Sequence, residues 1–385
     1  MVVRVDVAPE LLRWAVERAG WDEETTVRRA PQFIKWVRRE TRPTLKQLEA
    51  FAEKTHTPFG FLFLPEPPDE PLPIPDMRTI GNAGVLRPSA DLLDTVYLCQ
   101  RRQDWYRDYA SDNGAGPLGF VGSATLDTPP TQVAGDIAEG LDFGVEERQV
   151  FPNKGEVRRG LIDRIENIGV LVMVNGVVGA DTHRKLDPAE FRGFALSDPL
   201  APLIFVNGAD TKAAQLFTLV HELAHIWLGR SALSEAAMDS REGETEEQWC
   251  NSVAAEVLLP LGELRSDYRG QATVEELDRL AKRYGISTLV VLKRIVDAGF
   301  LTRGEYTERY RAEHERVMEL VRSKDGDGGG GNYYSTQPLR LSRRFARAVI
   351  ASTLEGSTAY REAYQLLGTK KHATFEGLAE ELKVA

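Results

Sequence analysis

The sequence predicts an α+β protein, mostly helical, with a small antiparallel sheet and a helical module at each end. Three observations predict it. Apolar residues recur at helical spacing over long stretches such as LLRWAVERAG and ADLLDTVYLCQRRQDWYRDYA. β-favouring runs are few and short: LVMVNGVVGA, Phe194 to Leu196, and Leu203 to Val206. A proline-rich stretch and a glycine-rich one then divide the chain into segments.

Residues 1–65 read as a compact helical module. LLRWAVERAG stops at Gly20, short helical segments follow near 22–29 and 31–39, and PTLKQLEAFAEKT and FGFLFL complete it. Its segment from Arg28 to Lys46 carries seven basic residues, Arg28, Arg29, Lys35, Arg38, Arg39, Arg42 and Lys46, against one acid, Glu40. That density of cations suits phosphates. Residues 66–89 form a connector, because PEPPDEPLPIPDMRT is too rich in proline for a helix or a central strand.

Residues 90–322 should form the core domain. A helix is expected over 90–110, two more within 130–167, and a hairpin turning at Asn175 and Gly176. The runs 194–196 and 203–206 are strands split by a proline-containing turn. TVEELDRLAKRYGISTLVVLKRIVDAGFLT gives two helices around a turn at Gly285 to Ser287, with a third at about 303–322. Residues 323–331, ending in Gly328 to Gly331, read as a flexible linker. Residues 332–385 give three short helices with a basic face at Arg340, Arg343, Arg344 and Arg347. No glycine-rich phosphate loop is present, so nucleotide binding has no support.

Charge is partitioned along the chain. The formal net charge is −10, made of +2 in residues 1–65, −15 in 66–331 and +3 in 332–385. No run of about eighteen apolar residues could span a bilayer, so no membrane role is expected. The first twenty residues lack a signal peptide's apolar core. With Cys99 and Cys250 as its only cysteines, the chain is expected in a reducing cytoplasm.

The chemistry lies in HELAH, from His221 to His225. Residues four apart share a helix face, so His221 and His225 can close on one metal ion with Glu222 beside them as proton acceptor. The preceding ADTKAAQLFTLV has helical period, with Asp210 or Thr211 as N-cap and Gly229 as C-terminal stop. Two buried imidazoles flanking a carboxylate are costly unless a cation offsets the desolvation. A third ligand is needed. REGETEEQWCNSVAAEVLLP supplies a helix ending at Pro260, with Cys250, Val253, Ala254, Val257 and Leu258 facing inward. Glu246 and Glu247 lie about equally far from that face, while Glu256 points away. Spacing does not choose between the first two.

FTLVHELAHIWLG followed by ETEEQWCNSVAAEVLLP resembles the ImmA/IrrE family of metallo-endopeptidases. The resemblance implies a zincin-like, gluzincin core in which Glu247 completes a zinc site and Asn251 supports it one turn later. Manganese could replace zinc in such a ligand set. The family often has Glu-Ala before the asparagine, where this chain has Trp249 and Cys250. FRGFALSDPLAPLIFVNGAD also matches, and in such folds an edge strand beside the metal helix receives an extended peptide; the IFVN strand or its neighbour is the candidate. Neither His183 nor any tyrosine is singled out as an oxyanion partner. The proline-rich connector could lie in the cleft as an internal pseudo-substrate.

The first 65 residues resemble the phage-repressor-like (XRE type) helix-turn-helix modules that precede the peptidase in some family members. The stretch PQFIKWVRRE, where a recognition helix would lie, is rich in bulky apolar groups rather than base-reading side chains. The resemblance implies a regulatory zinc endopeptidase, of stress-response or toxin-antitoxin type, that cleaves a repressor-like or antitoxin-like protein. The alternative is a DNA-binding transcriptional regulator or antitoxin that uses the peptidase fold as scaffold or sensor. A toxin held by the C-terminal helices is the third reading.

Overall fold

Pro9 opens the first helix, where its missing N–H would have had no helical partner. The computed structural model describes residues 3–77, 88–234, 245–324 and 333–384. Arg78, Thr79, the acidic run at 241–244 and the glycines at 328–331 lie outside the described residues. The chain clusters into two compact units, one of residues 1–73 with 85–96 and one of 74–84 with 97–385.

The first unit holds α1 (Pro9–Arg18), α2 (Glu23–Arg29), α3 (Phe33–Val37), α4 (Leu45–Lys54) and a 3-10 turn, Phe59–Phe63. Asp22 caps α2 by accepting from Thr25 N, and Thr44 and Gln47 form a reciprocal capping box on α4. Leu11, Leu12, Trp14, Leu48, Phe51 and Leu62 make the core. The stretch PQFIKWVRRE forms only the five-residue α3 and turns, and Trp36 lies edge-on to Phe51 with ring centroids 5.9 Å apart. The seven basic side chains from Arg28 to Lys46 are all exposed.

α5 (Ala90–Asp112) leads into the second unit, whose next elements are α6 (Pro130–Gly140), α7 (Val145–Arg148) and α8 (Lys154–Asn167). Its sheet contains β1 (Leu171–Asn175), β4 (Gly193–Leu196), β5 (Leu203–Asn207) and β6 (Ala232–Ser234), in the order β1-β5-β4-β6. β5 runs parallel to β1 and antiparallel to β4, and β4 is antiparallel to β6. A separate ribbon pairs β2 (Val177–Val178) with β3 (Asp181–Lys185).

The expected hairpin at Asn175 and Gly176 does not form. β1 is buried at all five residues, and it takes β5 as partner. Asn175 turns its side chain to local backbone instead, donating to Gly179 O at 2.7 Å. Of the IFVN strand and its two neighbours, β1 alone is a sheet edge. The IFVN strand is β5, which is paired on both sides, as is its neighbour β4; the sheet edge beyond β4 is β6. Pro75 O accepts from Leu233 N at 2.9 Å and Asp76 bridges Leu233 in parallel, so the connector's end lies along β6.

α9 (Lys212–Trp227) and α8 cover one face of the sheet, where Val172, Val174, Ala195, Ile204 and Val206 join the main core. α10 (Thr245–Leu258) packs on α9 and α6. α11 (Leu261–Asp267), α12 (Val274–Arg283), α13 (Thr288–Asp297) and α14 (Arg303–Lys324) follow. The three C-terminal helices expected appear as α16 (Arg343–Leu354), α17 (Tyr360–Leu367) and α18 (His372–Leu382), preceded by α15 (Tyr333–Leu341). α15 and α16 contact β1. Arg344, from the expected basic face, donates to Tyr106 Oη at 2.6 Å and to Glu166 O, and Arg343 pairs with Asp163, so part of that face is used internally. No helix among the described residues is long and apolar enough to cross a membrane.

Candidate metal centre

Thr211 caps α9 by accepting from Ala214 N, and the helix then runs unbroken through HELAH. Beyond its end Gly229 takes φ +68°, a conformation that disfavours other residues, and its Cα side faces Gly122 so closely that a Cβ would come within 2.8 Å. This close approach fixes the end of the motif helix. His221, Glu222 and His225 are fully buried.

α10 brings Glu247 onto the two imidazoles. Glu247 Oε2 lies 3.2 Å from His221 Nε2, Glu247 Oε1 lies 3.2 Å from His225 Nε2, and the two Nε2 atoms are 3.2 Å apart. Four ligands around zinc at 2.0–2.1 Å are separated by about 3.3 Å. The donors therefore stand at the edge lengths of a tetrahedron around one ion. Among the described residues these three form the one group of this kind.

Glu246 has a different task. Its Oε1 stands 3.3 Å from His225 Nδ1, close enough for charge attraction, although the angle does not make a hydrogen bond. Its Oε2 accepts from Arg230 Nη1 at 2.7 Å. The row Arg230, Glu246, His225 can hold the ring with Nε2 turned inward. The helical wheel placed both glutamates alike because each reaches His225, one at either ring nitrogen.

Trp249 and Cys250, which depart from the family pattern, are both used. The Trp249 indole donates to Thr128 O at 2.8 Å, tying α10 to the loop before α6. Cys250 is fully buried, and burial pushes its thiol up to about 11. Asn251 lies one turn after Glu247 and is half-buried. Glu256 points away, as the wheel predicts, and bonds Arg294. His183 sits exposed in β3, on the separate ribbon.

Electrostatics mark the centre as a place for a cation. Burial raises the Glu247 carboxyl, but His221 and His225 overcome this and hold it well below the usual carboxylate range. Burial lowers His225, yet Cys250, Glu246 and Glu247 together hold it well above its ordinary value. Glu222 is pushed up to about 8, by burial first, with Glu247 adding to the rise and His225 opposing it. His221 Nδ1 and Glu222 Oε1 are buried without a hydrogen bond. A divalent ion beside Glu222 would favour its ionised form and draw it down.

Two further residues were not legible. Ser234, at the end of β6, is fully buried with its hydroxyl 3.4 Å from Glu222 Oε2 and 3.3 Å from His225 Nε2. Gly193 of β4 lies against Glu222: a Cβ there would meet Thr218, Phe205 O and Glu222 Oε1 at 2.6–3.0 Å. Neither carries a signal in its own stretch of sequence.

The profile of Peptidase_M78, described as the IrrE N-terminal-like domain, matches residues 165–296, which hold every donor of this centre. That segment is similar to the IrrE N-terminal-like family. Consistent with this, the chain is 35% identical over 133 residues to the radiation response metalloprotease IrrE of Deinococcus radiodurans. The match spans 32% of this chain and 39% of the relative's length. Residues 341–381 match a domain of unknown function (DUF8813). No solved structure matches. The three donors His221, His225 and Glu247 thus lie in the segment that resembles a metalloprotease.

Proposed function

We propose that this chain is a regulatory endopeptidase in which His221, His225 and Glu247 hold zinc and Glu222 moves the proton. The observation that carries the reading is the meeting of two imidazoles and one carboxylate, from α9 and α10, at 3.2 Å separations in a fully buried setting. Donors of this type suit zinc, and manganese is tolerated. A bound ion supplies Lewis acidity to a peptide carbonyl and to the attacking water. Glu222 Oε2 takes the water's proton and returns it to the leaving amine, while Gly193 lets the carboxylate lie flat against β4. Glu246 keeps His225 from rotating.

The substrate class is a repressor-like or antitoxin-like protein, cut at one place in the cytoplasm. The name of the Deinococcus relative, a radiation response metalloprotease, supports a regulatory task over general digestion. The test compares wild type with Glu222→Gln on a panel of purified repressor-like proteins. Fragments are expected from wild type alone, at a rate about 10²–10⁴ above the variant, with equal metal content in both. Equal rates would end the peptidase reading.

A second reading rests on the exposure of all seven basic residues from Arg28 to Lys46. In it the N-terminal unit contacts DNA through phosphates, with the peptidase domain as scaffold or sensor. Mobility shifts at several salt concentrations check it: binding should weaken steeply with salt and vanish in Arg38→Glu with Arg39→Glu.

A further inference from the structure

β6 is three residues long, yet it is held from both sides. Ser234 pairs with Gly193 of β4, and Leu233 N donates to Pro75 O on the other side. The backbone therefore fixes where the Ser234 side chain goes. Its hydroxyl is fully buried and stands 3.3 Å from His225 Nε2, 3.5 Å from Glu247 Oε1 and 3.4 Å from Glu222 Oε2.

These distances have a geometric meaning. His221 Nε2, His225 Nε2 and Glu247 outline one face of a tetrahedron. Its fourth vertex must lie about 3.3 Å from the other donors. Ser234 Oγ comes close to that distance for two of the three, at 3.3 Å from His225 Nε2 and 3.5 Å from Glu247 Oε1, and it stands beside the carboxylate of Glu222.

Resting on the metallopeptidase reading, we propose that Ser234 Oγ is the fourth donor of the resting centre, a hydroxyl cap at the vertex that the attacking water needs. While Oγ faces the ion, its proton points to Glu222 Oε2 and satisfies that buried carboxylate. A neutral hydroxyl is a weak donor beside imidazole and carboxylate, so water entering with a substrate displaces it. The cap keeps a buried cation four-coordinate in the absence of substrate.

The experiment uses the full chain loaded with Co²⁺ in place of zinc. Ser234→Cys sets a thiol at the proposed vertex: a sulfur-to-cobalt charge-transfer band should rise in the near ultraviolet that is absent from wild type. Zinc release from this variant to a chelator should slow about tenfold or more. Ser234→Ala should shift the visible cobalt bands and speed zinc release about tenfold, and Ser234→Thr should restore both. Superimposable cobalt spectra for wild type, Ser234→Ala and Ser234→Cys would overturn the cap and leave the metallopeptidase reading standing. Failure of wild type to bind cobalt or zinc at all would overturn both.

Discussion

The two units bury polar groups in opposite ways. In the N-terminal unit the buried polar side chains are threonines that bond within their own turn: Thr26 Oγ1 donates to Asp22 O at 2.7 Å, and Thr55 Oγ1 to Phe51 O at 2.9 Å. In the second unit His221, Glu222, His225, Glu246 and Glu247 are buried together, and four of them leave a polar atom without a hydrogen bond. Local satisfaction costs a fold almost nothing. A cluster of buried ionisable groups costs several kcal/mol unless a charge of opposite sign joins it. The N-terminal unit leaves a lone Trp14 Nε1 without a partner and pairs its buried Arg18 side chain with Glu70 and Asp94, so the difference teaches where to look for chemistry: where several ionisable groups are buried together without enough partners.

The comparison can be pressed hardest at the two adjacent glutamates. Glu247→Gln should remove most bound zinc, at least a hundredfold in affinity, because it deletes a ligand. Glu246→Gln should cost only about 10–100-fold, since it loosens the His225 ring without touching the ion. Competition with a fluorescent zinc chelator measures both. Equal losses would mean that the two carboxylates share one role.

The contrast sharpens next in the N-terminal unit. Trp36→Ala should destabilise it by about 3–5 kcal/mol, as expected for a core aromatic, while zinc content stays unchanged. Thermal melts beside metal analysis would show this, and coupled loss of zinc would break the distinction between the units.

The smallest effect concerns a buried carboxylate away from the metal donors. Glu166 is raised to about 7, by burial first, with the Ser342 hydroxyl and the Arg344 N–H opposing. A carboxyl raised in the folded state favours folding below its unfolded value of 4.5, and that contribution is lost as pH rises through 7. Wild type should therefore lose up to about 3 kcal/mol more than Glu166→Gln between pH 5 and pH 8. Parallel melting curves for the two proteins across that range would show that Glu166 already has its proton partner.

How much of this was legible follows from how local each feature is. His221, Glu222 and His225 share one helix, so spacing in sequence is spacing in space, and the cap at Thr211 and the stop at Gly229 stand beside them. Glu247 needed the resemblance, because the wheel of α10 alone treats Glu246 as its equal. Ser234 was illegible because strand pairing, not its neighbours in the chain, carries it to the centre; Ala232–Ser234 is too short to show a period. The Asn175–Gly176 turn shows the reverse failure. A strong local signal gave way to the pairing of β1 with β5 in a sheet on which α8, α15 and α16 pack, so that every residue of β1 is buried.

The covered edge of β6 has one more consequence. An open strand border invites any extended chain to join it, with aggregation as the usual penalty. Leu233 has already spent its N–H on Pro75, so a foreign peptide gains nothing there until it has broken an existing bond. A passing unfolded segment meets a closed border, and only a ligand with further contacts to offer has reason to open it.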